Sequence, residues 1–333
     1  MKKPELLAPC GDMKTLKAAV QAGADAVYLG AEKFSARAFA GNFDGGELTA
    51  AIDFAARSNV KTYIAINTLI TDREMTEALE IVAHAHNAGA AAFIVQDLGL
   101  AVNIKKNFPD AVLHASTQMT ACTAKDVNAL GRLGFSRVVL ARELSREEIK
   151  EISANTTVEL EIFVHGALCS SYSGQCLMSS FIGGRSANRG KCAAPCRLSY
   201  KVISAGNDGT TSPCPLRREG EVTTNVAGND CKSAKKSGTL LSLKDLCLID
   251  YIAELSGIES LKIEGRMKGE DYVRAVVSAY RTVLDGGKLS EKQKSKMLGV
   301  FNRGGYTNGY FTCNYVAMFT DALKNPYGGR KID

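Results

Sequence analysis

The chain has 333 residues, of which 45% are hydrophobic, and its 41 Lys and Arg against 35 Asp and Glu give a net charge of +6. One barrel of roughly 250 residues with a large insertion would account for this length, so two unrelated domains are not required. No stretch approaches the roughly 20 apolar residues that span a bilayer, and the N-terminus lacks a signal-peptide core, which predicts a soluble, cytoplasmic protein. In a reducing compartment, ten cysteines indicate metal binding or catalysis rather than disulfides.

In chain order, a helix-period segment repeatedly ends at a glycine and is followed by a short apolar run. The pattern occurs at Gly23, Gly89, Gly134 and Gly257. Glycine closes helices in the left-handed conformation, so each of these positions predicts a helix end followed by a buried strand.

Further apolar runs lie near Leu6, Ile64, Leu113 and Ile162, which brings the number of candidate strands to eight. Helical segments such as TLKAAVQAG, ELTAAIDFAARS and SREEIKEISA separate them. This alternation predicts an α/β fold, a (β/α)8 TIM-like barrel, with a doubly wound open sheet as the alternative. We assign the barrel to residues 1–285, with a long Cys-rich basic insertion at 165–240 after the seventh strand, and a C-terminal extension to 286–333.

Polar residues follow the predicted strands at the same end. They are Asn67, Asp97, Gln118, Arg142, His165, Glu264 and Arg266. Any one of them could simply cap the next helix, but active sites of this fold gather where the strands end, so their recurrence favours a site. Glu161 lies inside the seventh strand, where an unpaired carboxylate is costly, and this predicts a cationic partner such as Arg142 or Lys262.

The connection after the seventh strand runs from about residue 165 to about 240 and holds six of the ten cysteines: Cys169, Cys176, Cys192, Cys196, Cys214 and Cys231. The first four have the spacing C-x6-C-x15-C-x3-C. Four thiolates hold an iron–sulfur cluster, whereas structural zinc sites commonly use paired C-x2-C knuckles, which are absent here. The spacing therefore predicts a metal, with iron–sulfur favoured over zinc. The four scattered cysteines are interpreted as small buried side chains.

Residues 183–240 carry ten Lys and Arg against four Asp and Glu, a net of +6 that equals the charge of the whole chain. A neutral body with one basic insertion predicts an anionic partner, either RNA or an acidic small molecule. A solvated basic loop is the alternative, and no RRM or KH motif is present.

The segment ELEIFVHGALCSSYSGQCLMSSFIGGRSANRGKCAAPCR, residues 159–197, resembles the signature of peptidase family U32. The blocks PELLAPCGD, AGADAVYLG, SLKIEGRMK and FNRGGYTNGY resemble other parts of that family, so the likeness spans nearly the whole chain. The resemblance implies a barrel-like catalytic body. The segment GGRSANRGKCAAPCR is most similar to the ribosomal RNA cytidine hydroxylase branch.

Better-understood members of the family are prephenate-dependent hydroxylases of tRNA or rRNA, or hydroxylation partners in ubiquinone synthesis. The resemblance therefore implies an RNA base hydroxylase with prephenate as a possible co-substrate. It also implies a [4Fe–4S] cluster on Cys169, Cys176, Cys192 and Cys231, with Cys196 as an extra thiol. Two departures are Cys10 in place of a small residue and the lack of the further C-terminal domain that longer members carry.

We expect Arg142 and Arg266 to hold an anionic group of the substrate, with Asn67 and Gln118 as further binding residues. His165 and Glu264 are the candidates for moving protons, and Glu161 is a third candidate catalytic residue. The alternative is a peptidase, for which His165 with Cys169, or with another cysteine of the long connection, is the plausible base and nucleophile. A third possibility is a non-catalytic iron–sulfur or RNA-binding partner protein.

Overall fold

A computed structural model describes residues 3–38, 40–203, 222–223 and 237–320 of the chain. The strands are β1 Glu5–Pro9, β2 Ala26–Gly30, β3 Lys61–Ile66, β4 Ala92–Val95, β5 Leu113–Ala115, β6 Arg137–Val139, β7 Glu159–Gly166, β8 Tyr200–Ile203, β9 Val222–Thr223, β10 Ser237–Gly238, β11 Asp245–Cys247, β12 Ser260–Ile263 and β13 Tyr306–Thr307. The helices are α1 Met13–Gln21, α2 Gly45–Arg57, α3 Met75–Asn87, α4 Leu98–Asn107, α5 Ala124–Arg132, α6 Arg146–Ala154, α7 Met178–Gly183, α8 Glu270–Leu284 and α9 Glu291–Gly299.

Eight parallel strands close into a barrel. Strands β1 to β7 pair in chain order, and β12 pairs in parallel with both β7 and β1. Because β12 has a neighbour on each side, the sheet has no open edge between its first and last strands. The predicted (β/α)8 barrel is therefore confirmed, and the doubly wound alternative is wrong.

Two apolar layers hold the barrel together. One lies between the strands and the surrounding helices and includes Leu6, Leu16, Leu29 and Ile64, all fully buried. The other lies inside the barrel and includes the buried residues Leu7, Ala26, Tyr28, Tyr63, Ala65, Ala92 and Ile94. Because side chains fill the barrel interior, a site can form only where loops extend beyond the C-terminal ends of the strands.

The glycines that the sequence marks as strand-preceding turns have left-handed backbone. Gly23, Gly89, Gly134 and Gly257 have φ between +77° and +96°. A Cβ atom is unfavourable in this conformation, which explains why glycine ends each segment and starts the turn into the next strand.

The connection after β7 departs from the regular repeat. In place of a seventh covering helix, a 3-10 segment, Ile249–Glu254, precedes β12. The short strand β11 pairs antiparallel with the end of β7, and β13 pairs in parallel with β11. This second layer brings the C-terminal residues 300–320 beside the barrel mouth. Within the described residues, we find no helix with the length and apolar character needed to cross a membrane.

Candidate active site

A cleft of about 320 Å³ lies at the C-terminal end of the barrel. Its walls come from the segments that follow β2, β3, β5, β6, β7 and β12, together with the Cys-rich segment and Arg303. Asn67, Gln118, Arg142, Glu264 and Arg266, five of the residues that the sequence predicts for the site, all line it. The volume is that of a typical small-molecule site.

Arg142, directly beyond β6, is held across the cleft wall. Its guanidinium donates to the carbonyl oxygen of Ala167 at 3.1 Å and lies 4.6 Å from the centroid of the Phe163 ring. Its Nε is buried and has no hydrogen-bond partner in the structure. A buried donor without an acceptor is costly, so this group is suited to an anionic oxygen of a ligand.

Arg266 is a second cation of the same kind and is 4% exposed. One guanidinium nitrogen donates to Ser35 at 2.5 Å, and the group lies 5.6 Å from the ring centroid of Tyr28. Its Nε also lacks a partner. Two arginine side chains of the cleft lining, Arg142 and Arg266, thus each have a buried Nε without a partner.

Glu264 is the carboxylate of the cleft, and it is already paired. Arg37 donates to its Oε1 from Nη2 at 2.8 Å and from Nε at 3.1 Å. Burial alone would raise the pKa of Glu264, but the positive charges of Arg37, Arg142 and Arg266 outweigh it and lower the pKa to about 2. Glu264 is therefore ionised at neutral pH, and a carboxylate with so low a pKa is a weak base. Its predicted role with protons stays a prediction.

Asn67 and Gln118 carry amide groups on the cleft wall. Asn67 Oδ1 accepts from the backbone N–H of Ala36 at 3.0 Å, which leaves its amide nitrogen with only a weak contact to Ser116 at 3.4 Å. Gln118 lies in the 3-10 turn after β5, and its buried Oε1 has no partner. Both have unused hydrogen-bonding capacity toward a ligand, and their roles as binding residues stay predictions.

The charge of the cleft is strongly positive. Among the described lining residues, seven are cationic and one, Glu264, is a carboxylate. The cationic residues are Arg37, Arg142, Arg197, Lys262, Arg266, Lys268 and Arg303. Such a concentration in a partly enclosed site attracts an anion and concentrates it there.

Glu161 lies inside the barrel, is fully buried and is not part of the cleft lining. Lys262 donates to its Oε1 at 2.7 Å, which confirms Lys262 as the cationic partner; Arg142, the other predicted partner, contacts the cleft wall instead. Arg137 lies 3.5 Å from the other carboxylate oxygen. Among the described residues, Glu161 reaches the cleft only through Lys262, which lines it, so its assignment as catalytic stays a prediction.

His165 also lies outside the cleft lining. Its imidazole is fully buried beside Tyr272, Tyr280 and Tyr306, with Nδ1 3.3 Å from the hydroxyl of Tyr280. Burial lowers its pKa to about 3, so the ring is neutral at physiological pH. Direct proton transfer to a ligand in the cleft is not possible from this position, and the predicted role would need a relay.

Four cysteines of the long connection line the cleft: Cys169, Cys176, Cys192 and Cys196. Burial raises the pKa of the Cys169 thiol, Arg142 lowers it, and the neighbouring Cys196 and Cys176 raise it further. Cys231 lies outside the described residues. Within the part of the chain that the structure describes, no three His, Cys, Asp or Glu side chains form a preassembled metal site.

Several residues of the site carry no obvious signal in the sequence. Arg37 lies in the loop after β2, and Arg303 lies in FNRGG, more than 260 residues further along the chain. Lys262 was expected only as a partner of Glu161, and Cys196 only as an extra thiol. A basic residue shortly after a barrel strand is the signal that would have identified Arg37.

The fold and the cleft define a class of protein: a TIM barrel whose catalytic face carries a cationic, cysteine-lined cleft. The model of peptidase family U32 matches residues 11–316, and the chain belongs to this family. The family resemblance of the sequence is thereby confirmed.

Three relatives illustrate the range of the family. The chain is 38% identical to an uncharacterized protease of Methanocaldococcus jannaschii, over 92% of this chain and 73% of that protein. It is 37% identical to tRNA hydroxylation protein P1 of Bacillus subtilis, over 85% and 64%. It is also 37% identical to the 23S rRNA 5-hydroxycytidine C2501 synthase of Escherichia coli, over 84% and 39%. The chain thus spans less than two thirds of the length of the latter two proteins.

Proposed function

We propose that this protein is an iron–sulfur-dependent enzyme that hydroxylates bases of tRNA or rRNA with a small carboxylate co-substrate, for which prephenate is the candidate. The observation that carries this proposal is the cleft at the catalytic face, where seven cations and four thiols surround one carboxylate. Relatives whose names state tRNA hydroxylation and rRNA 5-hydroxycytidine synthesis support the RNA substrate.

Arg142 and Arg266 would hold the carboxylate of the co-substrate. Both present a buried Nε without a partner, and a carboxylate would supply the missing acceptor. A bound carboxylate would offset the positive charges of Arg142 and Arg266 and so raise the pKa of Glu264, which could then accept a proton from the reacting group. Hydroxylation replaces C–H by C–OH and removes two electrons from the base, so the oxygen-donor co-substrate must accept them.

Cys169, Cys176 and Cys192 are the proposed ligands of the cluster, because all three residues line the same cleft and thiolates are the usual cluster ligands. Cys231 is the proposed fourth ligand, on the family resemblance alone, and zinc is the alternative metal. When bound, the cluster would supply electron transfer at the barrel mouth. Ligand sites that form on metal binding are common, so a preassembled set of thiols is not required.

Two measurements test the metal. Anaerobic purification followed by absorbance spectra and iron and sulfide analysis should give a brown protein with about four iron per chain. Serine at Cys169, Cys176, Cys192 or Cys231 should abolish the spectrum. Cys313→Ser should not, because Cys313 is absent from the cleft lining and is exposed, so its interpretation as a buried side chain is wrong. A colourless protein loaded with zinc contradicts the proposal.

The substrate is tested by mass spectrometry of nucleosides from tRNA and rRNA of cells with and without the gene. A hydroxylated pyrimidine should disappear on deletion and return with the wild-type gene, but not with Arg142→Met or Arg266→Met. Unchanged nucleoside profiles in both RNA classes contradict RNA hydroxylation.

A cysteine peptidase is the second candidate, and the family name is the reason to consider it. All four histidines lie in described residues, and none lines the cleft. His165 is enclosed by tyrosines, His114 is buried inside the barrel, and His84 and His86 lie on α3. The cleft thiols thus lack the base that a cysteine nucleophile needs. Incubation with denatured collagen should give no cleavage; cleavage that is lost in Cys169→Ser would support the peptidase.

A further inference from the structure

A column of buried charges runs through the barrel interior. Lys262 contacts Glu161 at 2.7 Å, Glu161 lies 3.5 Å from Arg137, and Arg137 contacts Glu5 at 2.7 Å. The side chains of Lys262, Glu161 and Arg137 are 5%, 0% and 6% exposed. Barrel interiors are usually filled by branched apolar residues, so four alternating charges are an unusual content.

The two ends of the column carry opposite charges. Glu5 and Arg137 begin their strands, which places them toward the N-terminal end of the barrel, whereas Lys262 lines the cleft at the C-terminal end. The positive member therefore faces the cleft and the negative member the opposite end. Burying several ions costs a few kcal/mol each, and an apolar set of the same volume is often at least as stable, so stability alone does not account for the column.

Lys262 has donors left for a ligand. Its ammonium group carries three N–H bonds, and one of them is used by Glu161. The ammonium also lies 4.5 Å from the ring centroid of Tyr28 and 5.5 Å from that of Phe163, the ring beneath Arg142. Lys262, Arg142 and Arg266 thus share the two aromatic side chains of the cleft floor.

We infer that Lys262 is a third substrate-binding cation, which contacts an anionic oxygen of the small carboxylate co-substrate, and that Glu161 is its positioning residue. This inference rests on the proposed function, since it concerns the same cleft. It assigns Glu161 a role through Lys262, with no contact to the substrate. Arg137 and Glu5 hold Glu161 in turn from the far end of the barrel.

Calorimetry on the anaerobically purified full chain, with prephenate and malonate as probes, measures the binding directly. Lys262→Met should raise the Kd of the acid that wild type binds by at least about tenfold, as expected when one partner of a buried charge contact is removed. Lys61→Met is the matched control, because Lys61 contacts Glu5 at the other end of the column and its side chain is 61% exposed. It should leave the Kd within about twofold of wild type.

A double variant distinguishes a purely structural role of Lys262 and Glu161 from a role in binding. Lys262→Met alone leaves Glu161 with Arg137 as its remaining partner and should lower the melting temperature, whereas Glu161→Gln with Lys262→Met removes both charges and should recover much of it. The Kd of the double variant should remain as high as that of Lys262→Met. A double variant with wild-type affinity overturns the inference.

The positioning role of Glu161 has its own readout. Glu161→Gln should raise the Kd in the wild-type background and have no further effect on it when Lys262 is already Met. An equal effect in both backgrounds means that Glu161 acts on the cleft without Lys262, and this overturns the positioning role. If Lys262→Met binds the acid as wild type does while cells still hydroxylate RNA, the inference fails and the proposed function stands. If wild type binds neither acid, the inference fails, and the nucleoside profiles decide the function separately.

Discussion

Gly30 ends β2 at the point where the guanidinium of Arg266 passes over the backbone. A Cβ atom there would lie 2.5 Å from both Arg266 Nη1 and Asn42 Oδ1, and 2.8 Å from Ser35 Oγ. The backbone of Gly30 does not have positive φ, so alanine fits the strand and only the side chains above it must move. The residue thus keeps space for a cation of the site.

We therefore expect Gly30→Ala to displace Arg266 and to raise the Kd of the proposed carboxylate co-substrate by about tenfold, with a loss of about 1–3 kcal/mol in stability from overpacking. Calorimetry and thermal unfolding measure the two effects. Gly183→Ala is the control, since nothing lies within 4 Å of a Cβ at that position. Unchanged affinity in Gly30→Ala would show that Arg266 does not bind the acid.

Glu264 should make the folded protein less stable at low pH, because its cationic neighbours lower its pKa. Its pKa in the folded protein is about 2, below the ordinary value of 4.5, because Arg37, Arg142 and Arg266 outweigh the effect of burial. A lowered carboxylate pKa contributes stability that is fully present above the unfolded-state pKa and is lost as the pH falls toward the folded-state pKa. The loss should therefore occur between pH 5 and pH 2.

The measurement is urea unfolding of wild type and Glu264→Gln at several pH values. The free-energy difference between the two proteins should shrink by about 2 kcal/mol as the pH falls from 6 to 3. Asp53→Asn, an exposed carboxylate on α2, should show no comparable change. A difference between wild type and Glu264→Gln that is constant with pH would contradict the lowered pKa.

His165 shows what the sequence could not reveal at this scale. Simple alternation along β7 would place it on the same face as Glu161, toward the barrel interior. The pairing with β12 shifts there: Lys262 pairs with Phe163, and Ile263 pairs with His165, so Val164 is skipped. This irregularity turns His165 toward Tyr280 on α8. The residue types of the segment do not predict the shift in pairing.

The Cys-rich segment contacts the loop after β2 and the 3-10 turn Asp72–Glu74 after β3. The backbone N–H of Ala38 donates to the carbonyl oxygen of Gly190 at 3.3 Å, and Arg189 forms a salt bridge with Glu74. Gly190 has φ of +76°, and a Cβ atom there would overlap the carbonyl oxygen of Ser35. The close approach fixes the position of the following Cys192.

Gly190→Ala should therefore separate the segment from the loop, while the barrel keeps most of its stability. If the proposed cluster is bound, the iron content of the purified variant should fall severalfold. Gly184→Ala is a close control: it also has positive φ, +65°, but nothing lies within 4 Å of its Cβ position. The comparison of the two variants separates the effect of backbone strain, which both share, from the effect of the contact that only Gly190→Ala loses. Equal iron loss in both variants would mean that docking on the loop is not what positions Cys192.

At the level of elements, the eight strands could be predicted because each combines an apolar run with a glycine turn or a strand-end polar residue. The contribution of residues 300–320 could not be predicted in the same way. Strand β13 has two residues, Tyr306–Thr307, and reaches the barrel only through β11. Arg303 enters the cleft by this route, so its place depends on pairings between segments about 60 residues apart that leave no local pattern.

The whole molecule combines a closed barrel with a cationic cleft and a net charge of +6. About half of the segment that the sequence identifies as basic, 183–240, lies outside the described residues, but the structure adds cations from the barrel loops and from the C-terminal segment. Composition could predict an anionic partner. It could not predict that cations from distant parts of the chain meet at one opening, because that follows from closure of the barrel.

For the proposed RNA substrate, we expect Lys268 and Arg303 to contact phosphates at this opening. Both line the cleft. The ammonium nitrogen of Lys268 lies 3.5 Å from the ring centroid of the exposed Phe301, and Arg303 contacts Asp245 at 3.4 Å. Burial lowers the pKa of Lys268 to about 8, Asp245 raises it and Arg303 lowers it further. The positive charge of Lys268 is therefore present at neutral pH and is lost as the pH rises through about 8.

We expect RNA affinity to fall as salt rises, and Lys268→Met and Arg303→Met each to reduce the slope of log K against log salt by about 0.7 to 1, the value for one lost phosphate contact. Fluorescence anisotropy with a labelled RNA loop measures the slope at pH 7 and at pH 9. The effect of Lys268→Met should be smaller at pH 9, where wild-type Lys268 is mostly neutral, whereas that of Arg303→Met should not change. Lys17→Met, an exposed residue on α1, should leave the slope unaltered at both pH values. A Lys268→Met slope equal to that of wild type at pH 7 would place the phosphates elsewhere on the molecule.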